Sequence, residues 1–277
     1  MEAVTRPVFL LTDFGARDPH AGQVRAVIAG IAPGAPIHDL SHEVEPFAVD
    51  EGAWMLECAL PFLPDDAVVM AVVDPGVGTT RRPIAVAREG RVFVGPDNGL
   101  LSALVSDDLR GALAPQGGAL LLPRGEVEAR EIAAHEFRLP DVSHTFHGRD
   151  IFAPAVAHLA AGLDYRELGP PITRIQALPP FRGANAGNEC LDGRVIHVDH
   201  FGNLITTIRE GQIVEPSEVE VAGHIVSTRV QTFAEAPPGT PCCYVDSSGF
   251  LAIAVNQGSA ERVLGVERGE PVRVRPL

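Results

Sequence analysis

The sequence predicts an N-terminal α/β sheet domain with helices on both faces, followed by a smaller C-terminal all-β domain. Three observations carry this. Short apolar runs alternate with stretches of helical periodicity through the first half of the chain. A proline- and glycine-rich stretch at 169–187, GPPITRIQALPPFRGANAG, then interrupts the alternation. Beyond it come only short strand-like runs separated by turn residues, the pattern of a small barrel or sandwich. The boundary is placed so that the domains span 1–181 and 182–277.

The elements follow in order. Val8–Thr12 reads as a buried strand ending in TDFG. Val24, Val27, Ile28 and Ile31 recur at i, i+3, i+4 and i+7, one face of a helix, which Pro33-Gly34 stops. Pro36–Leu40 reads as a second strand, and Asp50–Leu60 as a second helix carrying Ala53, Leu56 and Leu60. Ala67–Val73 is an uninterrupted apolar strand. Pro83–Ala87 and Arg91–Gly95 form a strand pair across Arg88-Glu89-Gly90, and Arg149–Gly162 reads as a helix. This alternation predicts a largely parallel sheet. The C-terminal strands are expected at Gly193–Val198, Leu204–Ile208, Val219–Arg229, Cys242–Val245, Leu251–Val255 and Val272–Val274.

Composition removes several functions. A hydrophobic fraction of 45% over 277 residues supplies a sizeable core. A net charge of −14 argues against sequence-independent nucleic-acid binding and against docking on anionic membranes. All 22 basic residues are arginine, so Schiff-base chemistry, a pyridoxal phosphate anchor and a Walker-type phosphate lysine are excluded. The cysteines, Cys58, Cys190, Cys242 and Cys243, form no CxxC pair. The N-terminal apolar run ends at once in Thr12-Asp13, unlike a signal peptide, and no run approaches the ~20 residues that span a bilayer. A soluble cytoplasmic protein is expected.

Chemistry concentrates in a few loops. Val73–Arg82, VDPGVGTTRR, joins a carboxylate, a glycine turn whose N–H groups can line a concave site, and two arginines. It lacks the lysine of a phosphate loop. His144–Asp150, HTFHGRD, adds a histidine able to act as base or relay near neutral pH. Ligands of open α/β sheets bind beyond the carboxyl ends of strands, where Asp13, Asp74 and Asp97 fall, so the three are expected to converge. His144 and His147, and His38 and His42, have metal-like spacings but lack further ligands and a helical frame, and no metal is expected. The loop DHFGN at 199–203 offers a carboxylate and an aromatic, though on local sequence a plain β-turn is the better reading, and DSSG at 246–249 offers hydroxyls and amides that a plain hairpin turn would explain too.

Six segments in order, TDFG at 12–15, VDPGVGTTRR at 73–82, GPDNGLL at 95–101, TFHGRDIFAP at 145–154, DHFGN at 199–203 and DSSGFLAIAVNQG at 246–258, resemble the S-adenosyl-L-methionine hydroxide adenosyltransferase family, relatives of the fluorinating and chlorinating enzymes. The resemblance implies hydrolysis of S-adenosyl-L-methionine (SAM) to adenosine and L-methionine, with SAM as substrate and no cofactor. It also implies a C-terminal β-barrel-like domain and a homotrimer with sites between one subunit's N-terminal domain and its neighbour's C-terminal domain. Asp74, Arg81 and His147 match the catalytic Asp–Arg–His set. Asp13 matches the ribose-binding aspartate, Asp18 joins it among the substrate-binding residues, and Asp199 matches the aspartate that holds the methionine ammonium. Asn203 matches a ligand-binding asparagine, Ser247 and Ser248 the methionine-carboxylate loop, Phe201 and Phe233 the aromatics around adenine, and Val255–Gln257 the segment along its edge. Ser248 stands where the fluorinating enzyme has arginine, and Asp246 where asparagine is expected. Halide transfer and non-catalytic SAM or adenosine sensing are the alternatives. The fluorinating relatives carry tyrosine at Asp74 and Tyr-Ser at His147-Gly148, whereas this chain keeps Asp74, Arg81, His147 and Gly148.

Overall fold

The computed structural model describes residues 5–187 and 190–277. The chain forms two compact units, Met1–Pro180 and Phe181–Leu277. The N-terminal unit contains β1 (Val8–Thr12), α1 (His20–Ile31), β2 (Ile37–Ser41), α2 (Val49–Ala59), β3 (Val68–Val72), β4 (Pro83–Arg88), β5 (Arg91–Pro96), α3 (Asp107–Arg110), β6 (Gly118–Leu121), β7 (Glu128–Glu131), α4 (Ala153–Ala160), β8 (Pro171–Ile172) and β9 (Arg174–Ala177). Seven strands make one sheet in the order β2-β1-β3-β5-β4-β7-β8, and β6 pairs with β9 separately.

The sheet is parallel only from β2 through β1 and β3 to β5. From β5 through β4 to β7 and β8 it is antiparallel. The expectation of a largely parallel sheet is corrected here, and the cause is local. Glu89 (φ 52°) and Gly90 (φ 82°) both take positive φ in the two-residue turn between β4 and β5, which forces a hairpin. β3 is buried along its whole length, which suits a strand covered on both faces. On one face Val24 and Ile28 of α1 and most of α4 pack with Val8, Leu10, Val68, Met70 and Val72. α2 lies on the other face, where Gly52 approaches Val73 and Leu100 too closely for a Cβ.

The helix expected from Arg149 begins differently. Gly148–Phe152 is a π-helical turn that leads into α4. Pro154 lacks the N–H that would bond back to Asp150, and the freed Asp150 carbonyl accepts Leu139 N at 2.9 Å instead. The proline-rich stretch is not free linker either: β8 extends the main sheet and β9 pairs with β6. Asn188 and Glu189, beside its end, lie outside the described residues.

The C-terminal unit holds β10 (Ala184–Asn185), β11 (Leu191–Val198), β12 (Leu204–Arg209), β13 (Ser217–Val221), β14 (His224–Val226), β15 (Pro241–Val245), β16 (Phe250–Val255), α5 (Ala260–Leu264) and β17 (Pro271–Pro276). The order β14-β13-β17-β11-β12-β16-β15 is antiparallel throughout, with β10 beside β11. The chain just after β14 bonds to β15 through Cys243 N→Thr228 O at 2.8 Å and Val230 N→Cys243 O at 2.9 Å, so the sheet nearly closes into a barrel. The run expected as one strand at Val219–Arg229 folds as a hairpin, because Ala222 (φ 48°) and Gly223 (φ 78°) make a two-residue turn. Among the described residues no helix is long and apolar enough to cross a membrane.

Ile28 is fully buried between α1 and the sheet. Replacing it with alanine should cost about 2–5 kcal/mol through lost burial and a cavity. Urea unfolding followed by the fluorescence of Trp54, also in this unit, will measure the loss.

Candidate active site

β1 and β3 run parallel with Thr12 opposite Val72, so Asp13 and Asp74 leave the same end of neighbouring strands. After β3 the chain turns on itself: Val77 N bonds Asp74 O at 3.2 Å and Thr79 N bonds Gly76 O at 3.1 Å. Gly78 (φ 77°) lies against the His144 carbonyl, only 2.5 Å from where a Cβ would stand. Glycine there lets the two motif-bearing loops touch.

The turn returns Arg81 to Asp74. Arg81 Nε donates to Asp74 Oδ1 and Oδ2 at 3.0 and 2.9 Å, and Nη2 donates to Oδ2 at 2.5 Å. The same Nη2 donates to His147 Nδ1 at 2.7 Å. The guanidinium has no acceptor, so Nδ1 accepts and the neutral ring carries its proton on Nε2. Both ends of the ion pair are nearly enclosed, at 9% and 6% side-chain exposure, and the guanidinium sits 5.3 Å from the Phe152 ring centre. Burial lowers the His147 pKa, the Arg81 charge lowers it further, and Asp74 and Asp150 offset only part of this.

Asp13 accepts Phe47 N at 3.0 Å. Burial raises its pKa, and nearby Asp74 adds to the shift, against the opposing backbone hydrogen bonds. A cavity of about 310 Å³ is bordered by Asp13, Asp18, Phe47, Asp74, Phe146 and His147. Sequence reasoning missed Phe47, which is 71% exposed and held at φ 69°. That strained conformation presents the ring to the cavity, and nothing in the local sequence signals it. Asp97 does not join Asp13 and Asp74. It is buried, accepts Arg82 Nε at 3.0 Å and Gln176 N at 2.6 Å, and ties β5 to β9. His38 stacks on Phe9 with ring centres 5.1 Å apart, and His42 Nδ1 pairs with Thr12 Oγ1 at 2.7 Å.

In the C-terminal unit, Asp199 organises its own loop. Oδ1 accepts Phe201 N and Asn203 N, each at 2.9 Å, and Oδ2 accepts Asn203 Nδ2 at 2.8 Å. A cavity of about 750 Å³ is bordered by Asp199, Phe201, Asn203, Phe233, Val255 and Gln257. Tyr244 also borders it, with its ring 4.8 Å from that of Phe233. Burial raises the Tyr244 pKa, reinforced by Asp199 and Asp246, so the phenol is neutral. Tyr244 lies inside a strand run, so nothing in its sequence context marks it as a cavity residue. Ser247 and Ser248 do not border this cavity; their turn is capped by Asp246 Oδ1, which accepts Ser248 N at 2.9 Å and Phe250 N at 2.8 Å.

An α/β unit with a carboxylate–guanidinium–imidazole chain at its strand ends, joined to a β-barrel-like unit with an aromatic, carboxylate-bearing cavity, defines a class of two-part enzyme. Residues 8–169 match the SAM hydroxide adenosyltransferase N-terminal domain and residues 193–273 the C-terminal domain of that family, and the chain belongs to it. A Thermus thermophilus protein named (R)-S-adenosyl-L-methionine hydrolase is 46% identical, over 97% of this chain and 99% of its own. One of the same name from Salinispora tropica is 38% identical over 98% of each. More distant fluorinases match as well, one from an Actinoplanes species at 25% identity over 99% of each chain. A crystal structure of an uncharacterized conserved protein from Thermotoga maritima aligns with TM-score 0.83 and 33% identity, covering 96% of this chain and 99% of that one.

Because the His147 pKa is depressed, its neutral form persists below the usual histidine range. Protonating Nδ1 destroys the acceptor that Arg81 uses. NMR titration should therefore place the His147 midpoint below the usual histidine range, and activity should hold until the pH falls through that lower midpoint.

Proposed function

We propose that this protein hydrolyses S-adenosyl-L-methionine to adenosine and L-methionine by attack of water on the ribose 5′-carbon. The observation that carries the reading is the Asp74–Arg81–His147 chain at the edge of a strand-end cavity. The relatives' name specifies the R sulfonium epimer, and the same epimer is proposed here.

In the step itself the water oxygen bonds to C5′, the C5′–S bond breaks, and its electron pair stays on sulfur. Methionine leaves as a neutral thioether and needs no acid. The site has to place one water opposite sulfur and receive its proton. His147 offers Nε2–H as a donor that orients the water oxygen. Its other nitrogen is engaged by Arg81, so the departing proton goes to Asp74, whose Oδ1 takes a single hydrogen bond from Arg81. Arg81 is neutralised by Asp74, and Asp13 and Asp18 add acidic character, which suits a cationic sulfonium. Asp13 is assigned to the ribose hydroxyls and Asp18 to substrate at the rim. Phe201, Phe233, Val255 and Gln257 are assigned to adenine, Asp199 and Asn203 to the amino-acid end, and Ser247 and Ser248 to its carboxylate. The chemistry needs no cofactor or metal. A homotrimer in which one copy's N-terminal unit meets a neighbour's C-terminal unit over the substrate belongs to the same reading, as do a cytoplasmic location and no nucleic-acid partner.

The test is incubation with each sulfonium epimer in ¹⁸O-water and mass spectrometry of the products. Adenosine carrying one ¹⁸O, together with methionine and faster from the R epimer, is the expected result; intact substrate that binds by calorimetry would mark a sensor. Asp74→Ala and His147→Ala should each lose roughly 10²–10⁴-fold in kcat while still binding substrate. Asp199→Asn keeps most of the loop's hydrogen bonds but removes the charge. It should raise KM about tenfold, the loss of roughly 1.5 kcal/mol of charged hydrogen bonding, with kcat little changed.

A further inference from the structure

Asp150 lies three residues beyond His147, is fully buried, and does not border the cavity. Its Oδ1 accepts Arg149 Nε at 2.6 Å, and its Oδ2 accepts Arg149 Nη2 at 3.0 Å and Ser143 N at 2.8 Å. Its carbonyl takes Leu139 N at 2.9 Å. These bonds tie residues 143–150 into a loop closed at its base. Arg149 also lies over the Phe146 ring, 5.1 Å from its centre, and Phe146 meets Phe14 edge-on at 5.5 Å. Gly148 packs against Phe14, 2.7 Å from ring to the place of a Cβ. His147 stands within this braced loop, at the entry to the π-helical turn, where Arg81 reaches Nδ1.

We propose that the Arg149–Asp150 pair is a positioning clasp for His147, holding the loop so that Nδ1 meets Arg81 and Nε2–H faces the cavity. A pair kept for stability alone is a poor alternative, since Asp150 is fully desolvated while Arg149 remains partly exposed, so the attraction is screened and the desolvation of the carboxylate consumes most of what the pair gains. The bidentate geometry instead supplies a fixed direction. A second path from the clasp to the ring is electrostatic. The charged groups acting on His147 are Arg81, Asp74, Asp150 and Arg138, and Asp150 is one of the two that favour its protonated form.

The clasp rests on the proposed hydrolysis only for its kinetic readout, so the decisive measurement is made without substrate. In ¹⁵N-labelled protein, long-range ¹H–¹⁵N spectra should show a single Nε2–H tautomer for His147 in the wild type and mixed tautomers in Asp150→Asn. With substrate, that variant should lose roughly ten- to hundredfold in kcat at nearly unchanged KM. Its acid limb should move to lower pH, because a charge favouring protonation is gone. A folded Asp150→Asn protein with wild-type tautomer, kcat and acid limb would overturn the clasp. If Asp150→Asn does not fold, Arg149→Gln replaces it, since Arg149 is partly exposed: mixed tautomers support the clasp and a wild-type tautomer overturns it. A wild type that turns over no substrate refutes the functional reading and leaves the tautomer comparison intact.

Discussion

Arg81 has to satisfy two partners with one guanidinium, and the site depends on that constraint. Asp74 is seven residues away and His147 sixty-six. A planar fork can grip a carboxylate with two nitrogens and still aim a hydrogen at a ring nitrogen, whereas an ammonium would offer charge without direction. The choice also fixes chemistry elsewhere. A guanidinium facing Nδ1 makes that nitrogen an acceptor, so the proton of the neutral ring lies on Nε2. Near enclosure of the pair keeps water from competing for these bonds.

The sheet supplies the frame for that contact. Parallel β1 and β3 bring Asp13 and Asp74 out side by side, each from a strand with little freedom to shift because it is itself almost wholly buried. The second loop is placed by other means. Gly78 allows it to touch the first, Gly148 lets Phe14 pack beneath it, and the π-helical turn holds its far end. Two glycines and one irregular turn thus bring together side chains that regular elements alone would leave apart.

These same features separate what the sequence shows from what it hides. β1, β3 and the barrel-like unit's strands are legible because burial on a known period leaves apolar runs. The Asp74–Arg81–His147 set is legible because its residues sit in distinctive motifs. Asp97 misleads, since it stands after a strand as Asp74 does. Its fate is decided by Arg82 and by Gln176, seventy-nine residues on, and no local pattern reports a partner that distant. Tyr244 hides for the opposite reason: a strand residue whose ring is buried reads as core even when its edge borders a cavity. The π-helical turn is partly foreseeable, because Pro154 removes a helical hydrogen bond, but the carbonyl's new partner, Leu139, is a tertiary matter.

The proposed role of the C-terminal cavity sets a different demand. Binding a charged amino-acid group needs a carboxylate that does not relax toward other donors when the ligand is absent. Asp199 meets this by accepting three bonds from its own loop, so its orientation is set before any ligand arrives. Gly202 (φ 80°) makes the tight return possible, packed against Ser259 with no room for a side chain. That leaves one lone-pair direction, on Oδ2, open to a ligand, and Phe201 on the same loop is 73% exposed. Under the proposed assignments, fixing charge and aromatic surface on one short loop would couple recognition of the amino-acid end to recognition of the flat base. A ligand lacking either end would then forfeit contacts that the loop has already been ordered to make, which would favour whole SAM over its separated products.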